Sequence, residues 1–395
     1  MNGRIWFHLH SWIGLKLSLF MSFILITGTL AVFAHELDWL ATPEMRVTPR
    51  DAPLAWGAMA ENAAARFPDG TVELLYAPID PWFAAEAVVL MPSGERRRVH
   101  LDPYDGTVKG VGSWANIHRF LRQTHRHLML PTWIGVPLVS CLALLLMASL
   151  VSGLVVYKKW WRGFLKLPRR RNARTFWGDL HRLAALWSLW FVAVIAVTGI
   201  WYLVESLGGQ APPAQTAPSP GAGPVLPTAV TLGAAKPVDD LVARAAAAYP
   251  ALRIRELRPP RRAGDPFVFL GQAEAWLVRD RVNAVALDPA TGALRWIADG
   301  RTLTVHQRIA EMADPLHFGT LGGLPTKIVW FLFGVLLSGL SLSGIYLFGL
   351  RAIHAVDGNA ALAARAAWRG MGLWRYPALA LIVLSLALTP TALGL

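Results

Sequence analysis

His10 and His181 each stand at the head of a long apolar stretch, and each stretch carries Thr-Gly further on, Thr27-Gly28 and Thr198-Gly199. Glycine follows histidine by 18 residues in both copies. At 100° per residue this is five whole helical turns, so on unbroken helices each glycine shares its histidine's stripe, about 27 Å further along. Imidazole is a standard axial ligand of haem iron, and two histidines on facing helices make a six-coordinate electron-transfer site. Gly14, Gly28 and Gly199, with Trp12, Trp187 and Trp190, supply the close helix approach and apolar wall that such a site requires. The same glycines also suit plain helix packing.

A second pair can be read from His317, His125 and His127. His317 precedes Ser343-Gly344 by 26 residues, while His125 and His127 precede the matching Ser152-Gly153 by 27 and 25. Spacing therefore leaves His125 and His127 as alternatives, pointing about 160° apart on a helix. His35 and Glu36, just beyond the first apolar stretch, are further candidates at the same end, where Glu36 could also brace a histidine. Zinc is the competing use of clustered histidine, but a structural zinc gathers its ligands in one place. The only cysteine is Cys141, which excludes a disulfide framework, a Cys-rich zinc site and covalent Cys-x-x-Cys-His haem. The chemistry expected is electron transfer, with no catalytic acid, base or nucleophile. No nicotinamide or flavin fingerprint is present, because the glycine-rich 319–323 precedes an apolar span rather than opening a soluble helix.

The elements that must hold these residues are membrane helices. Hydrophobic residues make up 54% of the 395, and mean hydropathy is +0.40. Five apolar segments are long enough to span a bilayer: one within 1–35, then 132–157, 183–205, 327–350 and 376–395. The first reads as a retained helix, since it is long for a leader and lacks a small-x-small site at Ala34-His35-Glu36. The net charge is +13, and the loop 158–182 concentrates nine Lys/Arg against the single acid Asp179. A short basic loop between spans is the cytoplasmic signal, so the N-terminus and 351–375 are expected inside and the segments 36–131 and 206–326 outside. Nucleic acid is not expected as a partner of this loop. The two outer segments share a helix-like alanine-rich stretch and an Asp-Pro-x-x-Gly turn, at 102–106 and 288–292. A Pro/Ala/Gly-rich linker, 208–227, precedes the second. The pattern is helix–module–helix used twice in parallel, plus a fifth helix. Such a duplication puts corresponding residues across an axis along the membrane normal.

The phrases His10-Ser-Trp-Ile-Gly-Leu-Lys, Thr27-Gly-Thr-Leu-Ala, Glu36-Leu-Asp-Trp-Leu, Thr124-His-Arg-His-Leu, Tyr157-Lys-Lys-Trp-Trp-Arg-Gly-Phe and Phe176-Trp-Gly-Asp-Leu-His-Arg together make the chain resemble the PepSY-associated transmembrane helix family of bacterial inner-membrane proteins. The resemblance covers nearly the whole chain. It implies a polytopic α-helical membrane protein of about five transmembrane helices with two α+β PepSY-like periplasmic modules. The best-understood branch holds siderophore-iron reductases of the ferrioxamine type. That branch implies two b-type haems, with His10 and His181 as axial ligands of one, and His317 with His125 or His127 as ligands of the other. It further implies a ferric siderophore as acceptor, an unspecified electron donor, and a role in iron uptake. The alternatives are a non-enzymatic PepSY binding or regulatory membrane protein, and a quinol- or copper-directed b-type cytochrome.

Overall fold

The computed structural model describes residues 3–214, 223–354 and 358–394. In chain order its helices are α1 (Gly3–Lys16), α2 (Ser18–Ala31), α3 (Ala34–Ala41), α4 (Trp56–Arg66), α5 (Ile117–His127), α6 (Thr132–Ser140), α7 (Leu142–Val156), α8 (Ala173–Trp187), α9 (Leu189–Ser206), α10 (Thr228–Gly233), α11 (Val238–Ala248), α12 (Val305–Phe318), α13 (Gly323–Ala352), α14 (Ala360–Met371) and α15 (Arg375–Leu393). Two compact units result. A helical unit comprises 1–34, 117–210 and 316–395, and a sheet unit comprises 35–116 and 211–315.

The sheet unit holds eight antiparallel strands: β1 (Thr71–Tyr76), β2 (Ala85–Leu90), β3 (Arg96–Leu101), β4 (Val108–Ser113), β5 (Arg253–Arg258), β6 (Phe267–Gln272), β7 (Asn283–Leu287) and β8 (Leu294–Ala298). Their order is β4-β3-β2-β1-β5-β6-β7-β8. The two modules read from the sequence thus share one sheet, joined where Leu75 pairs with Leu257 and Tyr76 with Glu256. Strand alternation puts Leu75, Ala87, Val99, Leu257, Phe269 and Val285 on one face. There they meet Trp56, Met59, Ala60 and Ala63 of α4 and Val238, Leu241 and Ala245 of α11, both helices bearing apolar residues at three- and four-residue steps. Both Asp-Pro-x-x-Gly turns form as expected. Gly106 and Gly292 adopt φ of 75° and 73° and donate their N–H to the carbonyls of Asp102 and Asp288. Hydrogen bonds from Arg295 and Thr291 hold the Asp288 carboxyl down to about 2.

The opposite face carries a cross-strand row in which each residue pairs with the next: His100 with Glu86, Glu86 with Tyr76, Tyr76 with Glu256. Arg98 pairs with Glu86 and Arg258 with Glu256, so the buried charges are compensated. Burial pushes His100 below its ordinary value and, together with Arg98, outweighs the opposing pull of Glu86 and Glu44.

In the helical unit, four stretches are long and apolar enough to cross a membrane, and a fifth arises if the bent pair α1–α2 counts as one span. The chain is therefore a membrane protein by length and composition of its helices. Two expectations fail here. The first span is not one helix, because α1 and α2 meet at Leu17 with a 68° bend. At the corresponding place in the second copy, Ser188 interrupts α8 and α9. Both residues leave helical geometry for the bridge region, at φ/ψ of −105°/5° and −88°/1°. The single stripe joining His10 to Gly28 is therefore broken by the bend, and Ser188 interrupts the helix between His181 and Gly199. Second, 117–131 and 316–326 belong with the membrane helices and not with the soluble modules. Part of the expected linker, 215–222, lies outside the described residues.

Close helix contacts rest on small and hydroxylated residues. A Cβ on Gly334 of α13 would lie 2.8 Å from Thr29 Oγ1 of α2. Ser22 and Ser341 hydroxyls bond across the same contact at 2.8 Å, and Thr29 and Ser338 at 3.2 Å.

Two outcomes follow from the shared sheet and its charged row. Leu257→Ala should destabilise the sheet unit by about 2–5 kcal/mol and accelerate amide exchange in β1 and β2 as well as β5 and β6. Acceleration confined to β5–β8 would mean two independent modules. His100 takes up a proton more readily unfolded, with its ordinary value of 6.5, than folded. Its contribution to stability is therefore present above that value and lost as pH falls below it. The melting temperature should drop between about pH 7 and about pH 5, and His100→Asn should flatten that drop. Equal slopes for both proteins would remove His100 from this account.

Candidate functional site

His10 on α1 and His181 on α8 line one cavity of about 730 Å³ inside the helical unit. That volume lies within the range of small-molecule and cofactor sites. The surface the cavity exposes is mainly apolar, with Ile13, Leu150, Leu186 and Leu340 among the lining residues. Gly14 lines it as expected, whereas Trp12, Trp187 and Trp190 do not. Trp12 packs edge-on against Trp374, Trp187 donates to the Phe164 carbonyl, and Trp190 joins Phe191, Trp330 and Phe333. The wall takes its aromatic residues from Phe7, Tyr157, Trp160 and Phe348 instead.

Each histidine is fixed through Nδ1. His10 Nδ1 lies 3.2 Å from the Ser149 carbonyl and 3.1 Å from Ser152 Oγ. A carbonyl only accepts, so Nδ1 carries the proton. Ser152 donates its own proton to the Ala148 carbonyl at 2.6 Å and is left to accept from the ring. His181 Nδ1 meets Ser343 Oγ at 2.8 Å, and Ser343 likewise donates to its own helix, at Leu340. The protonated Nδ1 makes Nε2 the nitrogen with a lone pair in both rings. The glycine after each serine lies beside the ring. A Cβ on Gly153 would stand 3.5 Å from His10 Cε1, and one on Gly344 would stand 3.6 Å from His181 Cε1. Ser152-Gly153 and Ser343-Gly344 were visible in the sequence as a shared phrase, but their service to His10 and His181 was not.

Among the outer candidates, the structure brings His125 and His317 together, with ring centres 6.2 Å apart and planes tilted by 39°. His125 Nδ1 bonds the Ile24 carbonyl at 2.9 Å. His317 Nδ1 bonds Thr198 Oγ1 at 2.8 Å, while that hydroxyl donates to the Val194 carbonyl. His127 turns away, its Nδ1 2.7 Å from the Leu130 carbonyl in a turn where Leu128 and Met129 take φ of 56° and 58°. His35 and Glu36 lie on α3 at the start of the sheet unit. Among the described residues no group of three or more His, Cys, Asp or Glu is placed to hold a metal ion.

Of the two Thr-Gly phrases, which their spacing sets five turns from the inner histidines at the depth of an outer site, one has its glycine against an outer histidine. A Cβ on Gly28 would sit 2.5 Å from His125 Cε1, so Gly28 is the seat of that imidazole. Gly199 instead admits α7, with Ala143 Cβ 2.7 Å from where its own Cβ would be. Thr198, its neighbour, is the residue that holds His317.

A membrane helical bundle with two internal histidine pairs, carried with an antiparallel α+β sheet unit, is the class that these observations define. The chain belongs to the family described as the PepSY-associated TM region, whose model matches residues 7–351. No curated protein matches it closely enough to be informative.

Gly28→Ala should displace the His125 ring and cost roughly 1–3 kcal/mol. In spectra of histidine-labelled protein, the protected Nδ1 proton of His125 should disappear in Gly28→Ala and persist in Gly199→Ala. Its survival in both would mean that the imidazole does not depend on Gly28.

Proposed function

We propose that this protein is a transmembrane di-haem b-type reductase of the bacterial inner membrane, passing electrons from the cytoplasmic side to a ferric siderophore in the periplasm. The observation that carries the reading is the pairing of four buried-facing imidazoles, His10 with His181 in one cavity and His125 with His317 at 6.2 Å. All four have Nδ1 committed to a helix acceptor, which is the orientation that metal-ligating histidine takes. The donor set fits haem: imidazole nitrogens, a mainly apolar wall, and a cavity of cofactor size. His10 and His181 would hold one haem, and His125 and His317 the other. When bound, haem supplies reversible one-electron chemistry.

The chain's own residues do the rest. Ser152, Ser343 and Thr198, with the Ser149 and Ile24 carbonyls, fix ring orientation and make each imidazole a stronger base. Leu150, Leu186 and Leu340 set apolar surface around the inner pair. Membership of the family and the matched contacts of His10 with Ser152 and His181 with Ser343 support an internal duplication about the membrane normal. The nine basic residues of 158–182 support a cytoplasmic loop, and hence a periplasmic sheet unit. The reaction is a one-electron transfer: a cytoplasmic or membrane donor is oxidised, and Fe(III) in the siderophore is reduced to Fe(II). Fe(II) holds hard oxygen ligands less tightly and is released for uptake.

Purified protein should show a reduced b-type Soret and α-band. His10→Ala or His181→Ala should each lose roughly half of the bound haem, and His125→Ala or His317→Ala the other half. His127→Ala should lose none. Colourless protein with its helices intact would sink the reading. Stopped-flow oxidation by ferrioxamine faster than by Cu(II) is expected, and the reverse order would point to a copper-directed cytochrome.

A further inference from the structure

The charge around the inner cavity is one-sided. Among its described lining residues are four arginines, Arg169, Arg174, Arg182 and Arg351, and no carboxylate. Two of the four are answered at the rim. Arg169 meets Asp179 through its side chain at 2.8 Å, and Arg182 contacts the same carboxylate. Arg174 and Arg351 form no ion pair with any carboxylate among the described residues. They are also close enough to repel one another.

Their positions relative to the histidines are set by helix geometry. On α8 the lining residues Arg174, Gly178, His181 and Ala185 recur at four- and three-residue steps, which is one helix face. On α13 Leu337, Leu340, Gly344, Leu347 and Arg351 do the same. Arg174 precedes His181 by seven residues, and Arg351 follows Gly344, the residue beside the His181 ring, by seven. Each arginine is thus about 10 Å along its helix from the level of the imidazole. Both lie at the ends of their helices, since α8 begins at Ala173 and α13 ends at Ala352. Arg174 stands in the first turn of α8, where the helix dipole already repels a cation. Arg351 is half-buried, its guanidinium 5.2 Å from the Phe7 ring centre and its Nε on the Leu347 carbonyl. Two mutually repelling cations on one cavity wall are stable there when an anion lies between them.

We propose that Arg174 and Arg351 are the carboxylate-binding end of the His10–His181 cavity. They select a tetrapyrrole with free carboxylates and fix which way it lies, acid edge toward the 158–174 segment and apolar edge toward Leu25 and Leu337. The inference rests on the haem reading of this cavity and adds the specificity and orientation that the histidines alone do not give. Guanidinium–carboxylate hydrogen bonds are short, charge-assisted and, in an apolar surround, poorly replaced by water.

Full-length protein produced in haem-deficient cells would be titrated in detergent with haemin and with haemin dimethyl ester, following the Soret band. His125→Ala in the background confines binding to the inner cavity. Haemin should bind roughly ten- to a hundredfold more tightly than its ester. Arg174→Gln/Arg351→Gln should abolish that preference while keeping the bis-imidazole spectrum, and Arg174→Lys/Arg351→Lys should retain part of it. A preference that persists in the glutamine pair overturns the proposal and leaves the haem reading standing. So does competition of haemin by phosphatidylglycerol alone, which would assign the arginines to a lipid phosphate. A chain that binds neither tetrapyrrole overturns the haem reading, and this proposal with it.

Discussion

An imidazole inside an apolar helical bundle has no water to take its Nδ1 proton, so the bundle must supply the acceptor. That requirement organises the helical unit. In a regular helix every carbonyl beyond the last turn already accepts an N–H, and it can take a second partner only where side chains leave it open. Gly28 does this for His125: the Ile24 carbonyl, which lies one turn back, is exposed because residue 28 has no Cβ. At the other three histidines the acceptor is a hydroxyl whose proton is tied to its own helix, at Ser152, Ser343 and Thr198. The acceptors come from a different helix in every case, so each bond also fixes one helix against another.

The sequence made the histidines legible because duplication printed them twice with the same neighbours. It made the hairpins legible because Asp-Pro-x-x-Gly encodes a turn geometry that few other residues tolerate. It did not reveal the breaks at Leu17 and Ser188, since neither carries proline or glycine and the apolar pattern runs through both without a change of period. Five turns from the inner histidines, the glycines fall at the depth of the outer pair, where Gly28 meets His125, while Gly199 meets Ala143 instead. Nor could spacing separate His125 from His127. The decision lies in the left-handed turn at Leu128 and Met129, which consumes His127 in a bond to the Leu130 carbonyl. Such a turn with two bulky residues is held by burial, as Leu128 is fully enclosed, and no local propensity announces it.

The sheet unit solves a different problem with different means. Its two halves each own one long helix and four strands, and each is small for an independent core. Pairing β1 with β5 removes two sheet edges at once and lets Leu75 and Leu257 bury against each other, so the shared sheet protects strands that would otherwise offer open hydrogen bonds. The opposite face then has to carry ionisable residues from both halves in one row, and they persist there because Arg98 and Arg258 stand beside Glu86 and Glu256. Burial and the neighbouring carboxylates push Tyr76 above its ordinary range, keeping its phenol protonated between two acids. A sheet assembled from two halves has thereby a charge-compensated centre and an apolar helix-covered back.

Charge is arranged oppositely in the cavity of the helical unit. There the only described ionic groups lining the wall are cations, two of which share the single carboxylate of Asp179 at the rim. An uncompensated positive field in an apolar cavity is costly unless a ligand brings the anion. If that ligand is the haem proposed above, its carboxylates would pair with Arg174 and Arg351, and Arg169 and Arg182, sharing one carboxylate, would leave one net positive charge at the rim. Positive surroundings favour the less positive, reduced iron, so they bias the site toward accepting an electron. The hydroxyl and carbonyl bonds to Nδ1 act in the other direction by making the imidazoles more basic. The inner pair has both influences built in, while at the outer pair the Nδ1 hydrogen bonds are joined by ring contacts of His317 with Tyr202 and Phe318. On the proposed reading, the inner site is thereby tuned by charge as well as by ligand basicity, and the outer site by ligand basicity. Electrons collected near the basic loop would then have to be drawn outward by the acceptor, which is the direction that reduction of a ferric complex supplies.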